Sequence, residues 1–305
     1  GGLNFITLRD RTGLVQMLIE DKDEGEKLRG LQIGTVLSAT GSPQADERAV
    51  GGVEIHNPEL TVMVAVTDEP PVEIDKPISH KSEHLDTLFE YRPISLRNTL
   101  ESSIFRLRGE VMHDIRTYLR SEGFAEITSP KIVAGAAEGG AEVFKLDYFG
   151  KEATLAQSPQ LYKQIMVGAL ERVFEIGPAY RAETSATTRH VSEVTMLDIE
   201  MGFIESHDDV MNAIQDLVYN VATKLYKDEA DTLRKLRAPE LVLKPEFPRY
   251  TMAEIHELYQ KETGTDVSKE IDLTPDEERW ICEYAKQKHG CEAVFATNLP
   301  KSKMK

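Results

Sequence analysis

Along residues 1–66 the apolar positions come in short runs: FITLRD, LVQML, TVLSATG, GVEI and ELTVMVAV. Each run alternates apolar with polar residues or is rich in β-branched ones, which suits a pleated strand. The separators RDRTG, DEGEKLRG and SPQADERAVGG are rich in Gly, Asp and Pro and read as turns. From Thr99 to Glu122 the period changes. Ile104, Leu107, Val111, Ile115 and Leu119 recur at steps of three and four, predicting a helix that Gly123 terminates. FAEITSPKIV then reads as a strand broken by Pro130.

Beyond it, VFKLDYF, ATLAQS, RVFEIGPAYRAE and VTMLDIEMGFI predict strands, with a helix over SPQLYKQIMVGAL after its Ser-Pro start. Residues 207–227 and most of 250–289 carry helical patterns, and CEAVFATNLP resembles a last strand. The sequence thus divides into an all-β domain (1–68), a linker or hinge (69–98) with prolines at 70, 71 and 77, and an α+β domain (99–305). Several short strands in under 70 residues fit a five-stranded OB-type β-barrel, with its first strand partly missing because the sequence opens inside a strand.

The net charge of -16 argues against a general nucleic-acid binder, since a diffuse basic surface supplies most non-specific affinity. It leaves room for a protein that reads one RNA through a local patch. No apolar run approaches the length of a membrane span, and no leader-like segment opens the sequence. Cys282 and Cys291 form no CxxC pair, so reduced thiols and a cytoplasmic setting are expected.

The chemistry concentrates in FEIGPAYRAETSATTRHVSEVTMLDIEMGF, residues 174–203. It reads as a strand ending at Arg181, a polar loop, and a returning strand rich in acids. Arg181 and Glu183 share a face, while Arg189 and His190 sit across the loop. A fixed guanidinium beside carboxylates on a rigid hairpin suits a nucleoside triphosphate, because arginine neutralises charge that builds on a phosphate during attack. Spacing alone fits a solvated, salt-bridged hairpin equally well.

That segment resembles motif 2 of the class II aminoacyl-tRNA synthetases, in the form used by the subgroup activating Asp, Asn and Lys. SSIFRLRGEVMHDIRTYLRSEGFAEITSPKIV is similar to motif 1, and AEGGAEVFKLDYFGKEATLAQSPQLYKQIMV resembles the amino-acid pocket of aspartyl-tRNA synthetases of archaeal and eukaryotic type. The resemblance implies a class II antiparallel-sheet catalytic domain, ATP as substrate, magnesium on its phosphates, and a homodimer through motif 1. L-aspartate and tRNA(Asp) are the implied partners. Whether tRNA(Asn) is also charged stays open.

By the same resemblance Arg181 holds the α-phosphate, Glu183 meets adenine, and His190, with Arg189, reaches the outer phosphates. Gln160 and Lys163, three apart on a predicted helix, would take the substrate side chain, with Asp198 on its ammonium group and Glu138 in the loop that closes over aspartate. Lysine at position 163 favours Asp over Asn, because a neutral amide would leave the buried cation unpaired. In the β-domain, Phe5 and Gln16 are eleven residues apart on adjacent strands and are implied to stack on and read the central anticodon base, with Glu54 a further contact.

Two departures stand out. The position four after His190, where relatives often place an aromatic against adenine, is Val194. Motif 3, a Gly-rich strand and an Arg-led helix, does not occur before ATNLPKSKMK ends. On this reading the chain is clipped at both ends, its metal ligands lie beyond residue 305, and the polypeptide as it stands is not expected to catalyse the reaction. An asparaginyl-tRNA synthetase, an asparagine-making paralogue and a non-catalytic tRNA-binding paralogue are the alternatives.

Overall fold

A computed structural model of the chain describes residues 4–76, 78, 85–135, 143–182 and 191–300. Its contacts divide it into two compact units, Gly1–Phe105 and Arg106–Lys305.

In the first unit, β1 (Asn4–Arg9) and β2 (Leu14–Ile19) form an antiparallel hairpin whose turn is held by Asp10, which accepts from the backbone N–H of Thr12. The acidic stretch read as a turn after β2 is a helix, α1 (Lys22–Leu28). Asp21 caps it by accepting from the backbone of Asp23 and Glu24, and Lys27 stands in its last turn, so capping and dipole charges form a helix that apolar periodicity does not announce. β3 (Val36–Ala45) and β4 (Val53–Val64) complete one sheet in the order β1-β2-β4-β3, with β4 parallel to β2.

The two runs GVEI and ELTVMVAV are therefore one strand. β4 continues through Asn57, at φ +46°, opposite a register shift between Thr40 and Ser42 of β3. This fusion leaves four strands where five runs were counted, and among the described residues the OB-type sheet is open rather than a closed barrel.

The stretch expected to be a linker has a small core of its own. Val72, Ile78 and Leu88 are buried together with Ile94 packed against them, on α2 (Leu85–Glu90), α3 (Arg92–Ser95) and the chain before them. Buried Asn98 donates to the carbonyls of Glu73 and Lys76, and Arg97 donates to that of Gly34. Side-chain bonds to backbone here replace the periodicity that a sequence pattern needs.

The helix expected from Thr99 is α4 (Thr99–Ser121), closed by Gly123 at φ +81°. Pro130 separates two short strands, β5 (Ala125–Glu126) and β6 (Ile132–Val133). β7 (Lys145–Tyr148) and β8 (Lys151–Leu155) pair with β6 in the order β6-β8-β7. After α5 (Gln160–Leu170) come β9 (Arg172–Tyr180) and β10 (Glu193–Met201), antiparallel to each other, with β5 parallel to β9.

The alternation along β10 decides the layering. Leu197, Ile199 and Met201 face a core of Leu119, Phe124, Phe174, Leu217 and Val221, supplied by α4, the sheet and α6 (His207–Asp228). Asp198 and Glu200 therefore face the other way, where the site lies. After α7 (Ala230–Lys235), β11 (Arg249–Thr251), α8 (Met252–Thr263), α9 (Pro275–His289) and β12 (Phe295–Thr297) form a small subassembly with β11 parallel to β12. No helix among the described residues is long and apolar enough to cross a membrane.

Candidate functional site

In the second unit the site grows from β10 and the first turns of α5. The antiparallel register pairs Asp198 with Glu175 and Glu200 with Val173, fixing both acids of β10 on one face. α5 begins directly after buried Ser158 and Pro159, and its Gln160 amide N–H is 3.2 Å from Ser158 Oγ. Gln160 and Lys163 are the half-buried residues of the first turns, while Leu161, Tyr162 and Gln164 are exposed. The three-residue spacing thus places both on the inward face, as expected.

Lys163 Nζ donates to Asp198 Oδ1 and lies 3.2 Å from Glu200 Oε2. The lysine and Asp198 side chains are each 12% exposed. Burial works to lower the ammonium's pKa, but the hydrogen bonds and charges of Asp198 and Glu200 outweigh it and hold the group above the ordinary lysine value. One cation held between two carboxylates makes a socket that can discriminate ligands by charge. Glu200 is a member the sequence reading did not assign, although its position two residues after Asp198 was the available signal.

Arg181 follows β9 directly, and its backbone N–H bonds to Ser192 O at 3.0 Å, closing the β9–β10 hairpin at its root. Its Nε is buried and has no partner among the described residues. A buried donor left unpaired is costly unless a ligand accepts from it. Glu183, Arg189, His190 and Glu138 lie outside the described residues. Val194 is half-buried on β10 opposite Ala179.

Beside the socket, on the same face of the sheet, Glu175 is buried and fully engaged. Lys131 Nζ is 2.6 Å from its Oε1, and Ser129 Oγ donates to its Oε2 at 2.6 Å. This cluster ties the segment around Pro130 to β9. Gln157 and Ser158 are also buried polar residues that the sequence reading left without a role. No group of three or more His, Cys, Asp or Glu suited to a metal occurs among the described residues. Cys282 is half-buried, Cys291 is buried, and both are free.

The first unit holds a separate polar face. β1–β2 pairing sets Phe5 opposite Leu18 and Thr7 opposite Gln16, and β2–β4 pairing sets Gln16 beside Glu54. Phe5 is 56% exposed, so it is not a core aromatic. Gln16 Nε2 donates to Glu54 Oε1 at 2.6 Å, and His56 Nε2 lies 3.0 Å from Glu54 Oε2. An exposed ring near an oriented amide on a flat sheet can stack on and read an unpaired base.

Both parts of the chain resemble known proteins. A family profile described as tRNA synthetases class II (D, K and N) matches residues 84–305, and one described as an OB-fold nucleic acid binding domain matches residues 1–63. The chain is 37% identical over 302 residues to the aspartate–tRNA(Asp/Asn) ligase of Deinococcus radiodurans, covering 99% of this chain and 67% of that protein. It is 38% identical over 306 residues to the ligase of the same description from Methanopyrus kandleri, covering 99% and 69%. Among solved structures, the asparaginyl-tRNA synthetase of Pyrococcus horikoshii complexed with asparaginyl-adenylate superposes with a TM-score of 0.86 at 30% identity, covering 99% of this chain and 68% of that one. A putative aspartyl-tRNA synthetase from Leishmania major shares the fold at 24% identity and a TM-score of 0.85.

Proposed function

The chain belongs to the class II tRNA synthetases of the D, K and N group, and from that premise we propose that it acts as an aspartate–tRNA ligase. The observation that carries the choice of aspartate is Lys163, a shielded ammonium on the inward face of α5. Aspartate brings a second carboxylate that this cation can share with Asp198 and Glu200. Asparagine brings a neutral amide, which compensates the lysine less well.

The reaction needs no covalent enzyme intermediate. The substrate's α-carboxylate oxygen attacks the α-phosphorus of ATP, the bond to pyrophosphate breaks, and aspartyl-adenylate forms. Attack by a terminal ribose hydroxyl of the tRNA on the acyl carbon then releases AMP. Arg181, whose buried Nε has no partner among the described residues, is the group that meets the α-phosphate and offsets its growing charge. Gln160 and Lys163 orient aspartate, and Asp198 serves both the lysine and the substrate ammonium. Magnesium belongs to this reading through the phosphates of ATP, but no metal-sized cluster among the described residues assigns its ligands, so no step is routed through it.

Phe5, Gln16 and Glu54 are the residues proposed to meet the anticodon of tRNA(Asp). Reading of tRNA(Asn) as well is consistent with the descriptions of the two ligase relatives. Exposed Ile104 and Phe105 near the start of α4 support a homodimer through that helix, and two free cysteines suit a cytoplasmic enzyme.

Amino-acid-dependent ATP–pyrophosphate exchange, measured on the protein expressed from its own gene, tests the proposal. Exchange with aspartate and not asparagine is the expected result. Exchange with asparagine alone would make it an asparaginyl-tRNA synthetase, and tRNA binding without exchange would make it a non-catalytic paralogue.

A further inference from the structure

We propose that His56 is a positioning residue of the anticodon face, holding Glu54 and, through it, deciding which atoms of Gln16 meet the base. The proposal rests on the assignment of Phe5, Gln16 and Glu54 to anticodon reading, and adds a residue to which no sequence pattern gave a role.

The geometry is a three-member chain across two strands. Glu54 is 4% exposed, and a carboxylate so far from water needs polar partners. Its Oε1 accepts from Gln16 Nε2 at 2.6 Å, and its Oε2 faces His56 Nε2 at 3.0 Å. Glu54 and His56 are two apart on β4, and the parallel register sets them beside Gln16 and Leu18 of β2, on a common face.

The backbone at His56 is held as well. Asn57, at φ +46°, donates from Nδ2 to Glu20 Oε2 at 2.9 Å. Across the sheet, the register shift at Gly41 brings β3 so close that a Cβ there would stand 2.5 Å from Ile55 Cγ2. Only glycine allows that approach, so the kink that follows His56 is locked from both sides.

The consequence is a fixed amide. With one Gln16 N–H committed to Glu54, the carbonyl oxygen Oε1 is turned away from the carboxylate as an acceptor. Uracil presents an N3–H donor at its Watson–Crick edge, whereas cytosine presents a bare N3 acceptor there. A Gln16 locked as an acceptor therefore favours a central uracil. Once Glu54 loses the imidazole beside its second oxygen it can turn toward water, the amide is free to flip, and cytosine is met as readily as uracil.

The test is binding of two short anticodon stem-loop RNAs that differ only in U or C at the central anticodon position. His56→Leu is expected to lower the U-over-C preference by about tenfold, the worth of the Gln16–Glu54 hydrogen bond once its acceptor is no longer held. His56→Gln, whose side-chain N–H can still reach Glu54, keeps most of it. A merely structural role would weaken both RNAs alike and leave their ratio unchanged. If His56→Leu keeps the wild-type ratio while Gln16→Ala abolishes it, Glu54 is held without His56 and the proposal is wrong. If Gln16→Ala also leaves the ratio untouched, the anticodon assignment itself fails and takes the proposal with it.

Discussion

Lys163 on α5 and Asp198 on β10, 35 residues apart in sequence, are hydrogen-bonded ion-pair partners, and Glu200 approaches the same ammonium from the next inward position of the strand. The socket is thus assembled before substrate arrives. Its two acids keep the lysine charged and aimed, and on the proposed reading the carboxylate of aspartate meets a cation that needs no rearrangement. Preorganised charge of this kind acts without reorganisation at the moment of reaction.

Replacing Lys163 by Leu removes that cation from the substrate side chain. Aspartate activation should fall roughly 100-fold or more, the penalty for an unpaired buried polar group, while ATP binding changes little. Pyrophosphate exchange at varied aspartate and at varied ATP separates the two effects. Equal losses for both substrates would place Lys163 outside the amino-acid pocket.

The same lysine should stabilise the fold, with a pH signature. Lys163→Met leaves Asp198 and Glu200 without their counter-ion, at a cost of about 3 kcal/mol, typical of breaking a shielded pair. The folded-state pKa of the ammonium lies above the ordinary lysine value of 10.5. Its contribution is therefore fully present below that value and is lost as pH rises through the folded value. Urea unfolding should show a constant gap between wild type and variant at neutral pH, closing only above about pH 10.5. A gap that closes near neutrality would contradict the raised pKa.

Glu175 makes a sharper structural prediction. Its carboxylate is buried between Lys131 and Ser129, so Glu175→Ala strands a mostly buried ammonium and should cost roughly 3–5 kcal/mol. Replacing Lys131 and Glu175 together by apolar residues should cost much less, because no unpaired charge remains. Denaturation of the single and double variants forms a double-mutant cycle, and purely additive losses would show that the pair is not coupled.

Much of this architecture is legible in the sequence because it rests on periodicity. The long helices α4 and α6 and the strands β9 and β10 follow apolar spacing, whereas Gln160, Lys163 and Asp198 are singled out through the family resemblance. What escaped has a common cause. α1 forms through Asp21 capping in an acidic stretch, the segment before α4 packs through Asn98 and Arg97 bonds to backbone, and β4 hides its continuity behind the kink at Asn57. Glu200 and His56 are ordinary strand residues until tertiary pairing shows which side chains they face.

Glu277 combines both kinds of signal. TPDEE announces a helix start, and α9 indeed opens with a capping box in which Thr274 Oγ1 accepts from the Glu277 backbone N–H and the Glu277 carboxylate accepts from the Thr274 backbone N–H at 2.8 Å. Nothing local announces that the same carboxylate, with no exposed surface, also meets His256 Nδ1 of α8 at 2.6 Å. Glu277→Ala removes the cap, worth about 1 kcal/mol, and also strips His256 of its partner in the interior, worth a further 1–3 kcal/mol or so. A combined loss of about 3 kcal/mol is expected in urea unfolding. Glu277→Gln keeps one acceptor oxygen for the cap and offers the histidine only an amide N–H, which Nδ1 can meet in the other tautomer, and should fall about midway. If both variants cost only the ~1 kcal/mol of a lost cap, the His256 contact contributes nothing to the α8–α9 packing.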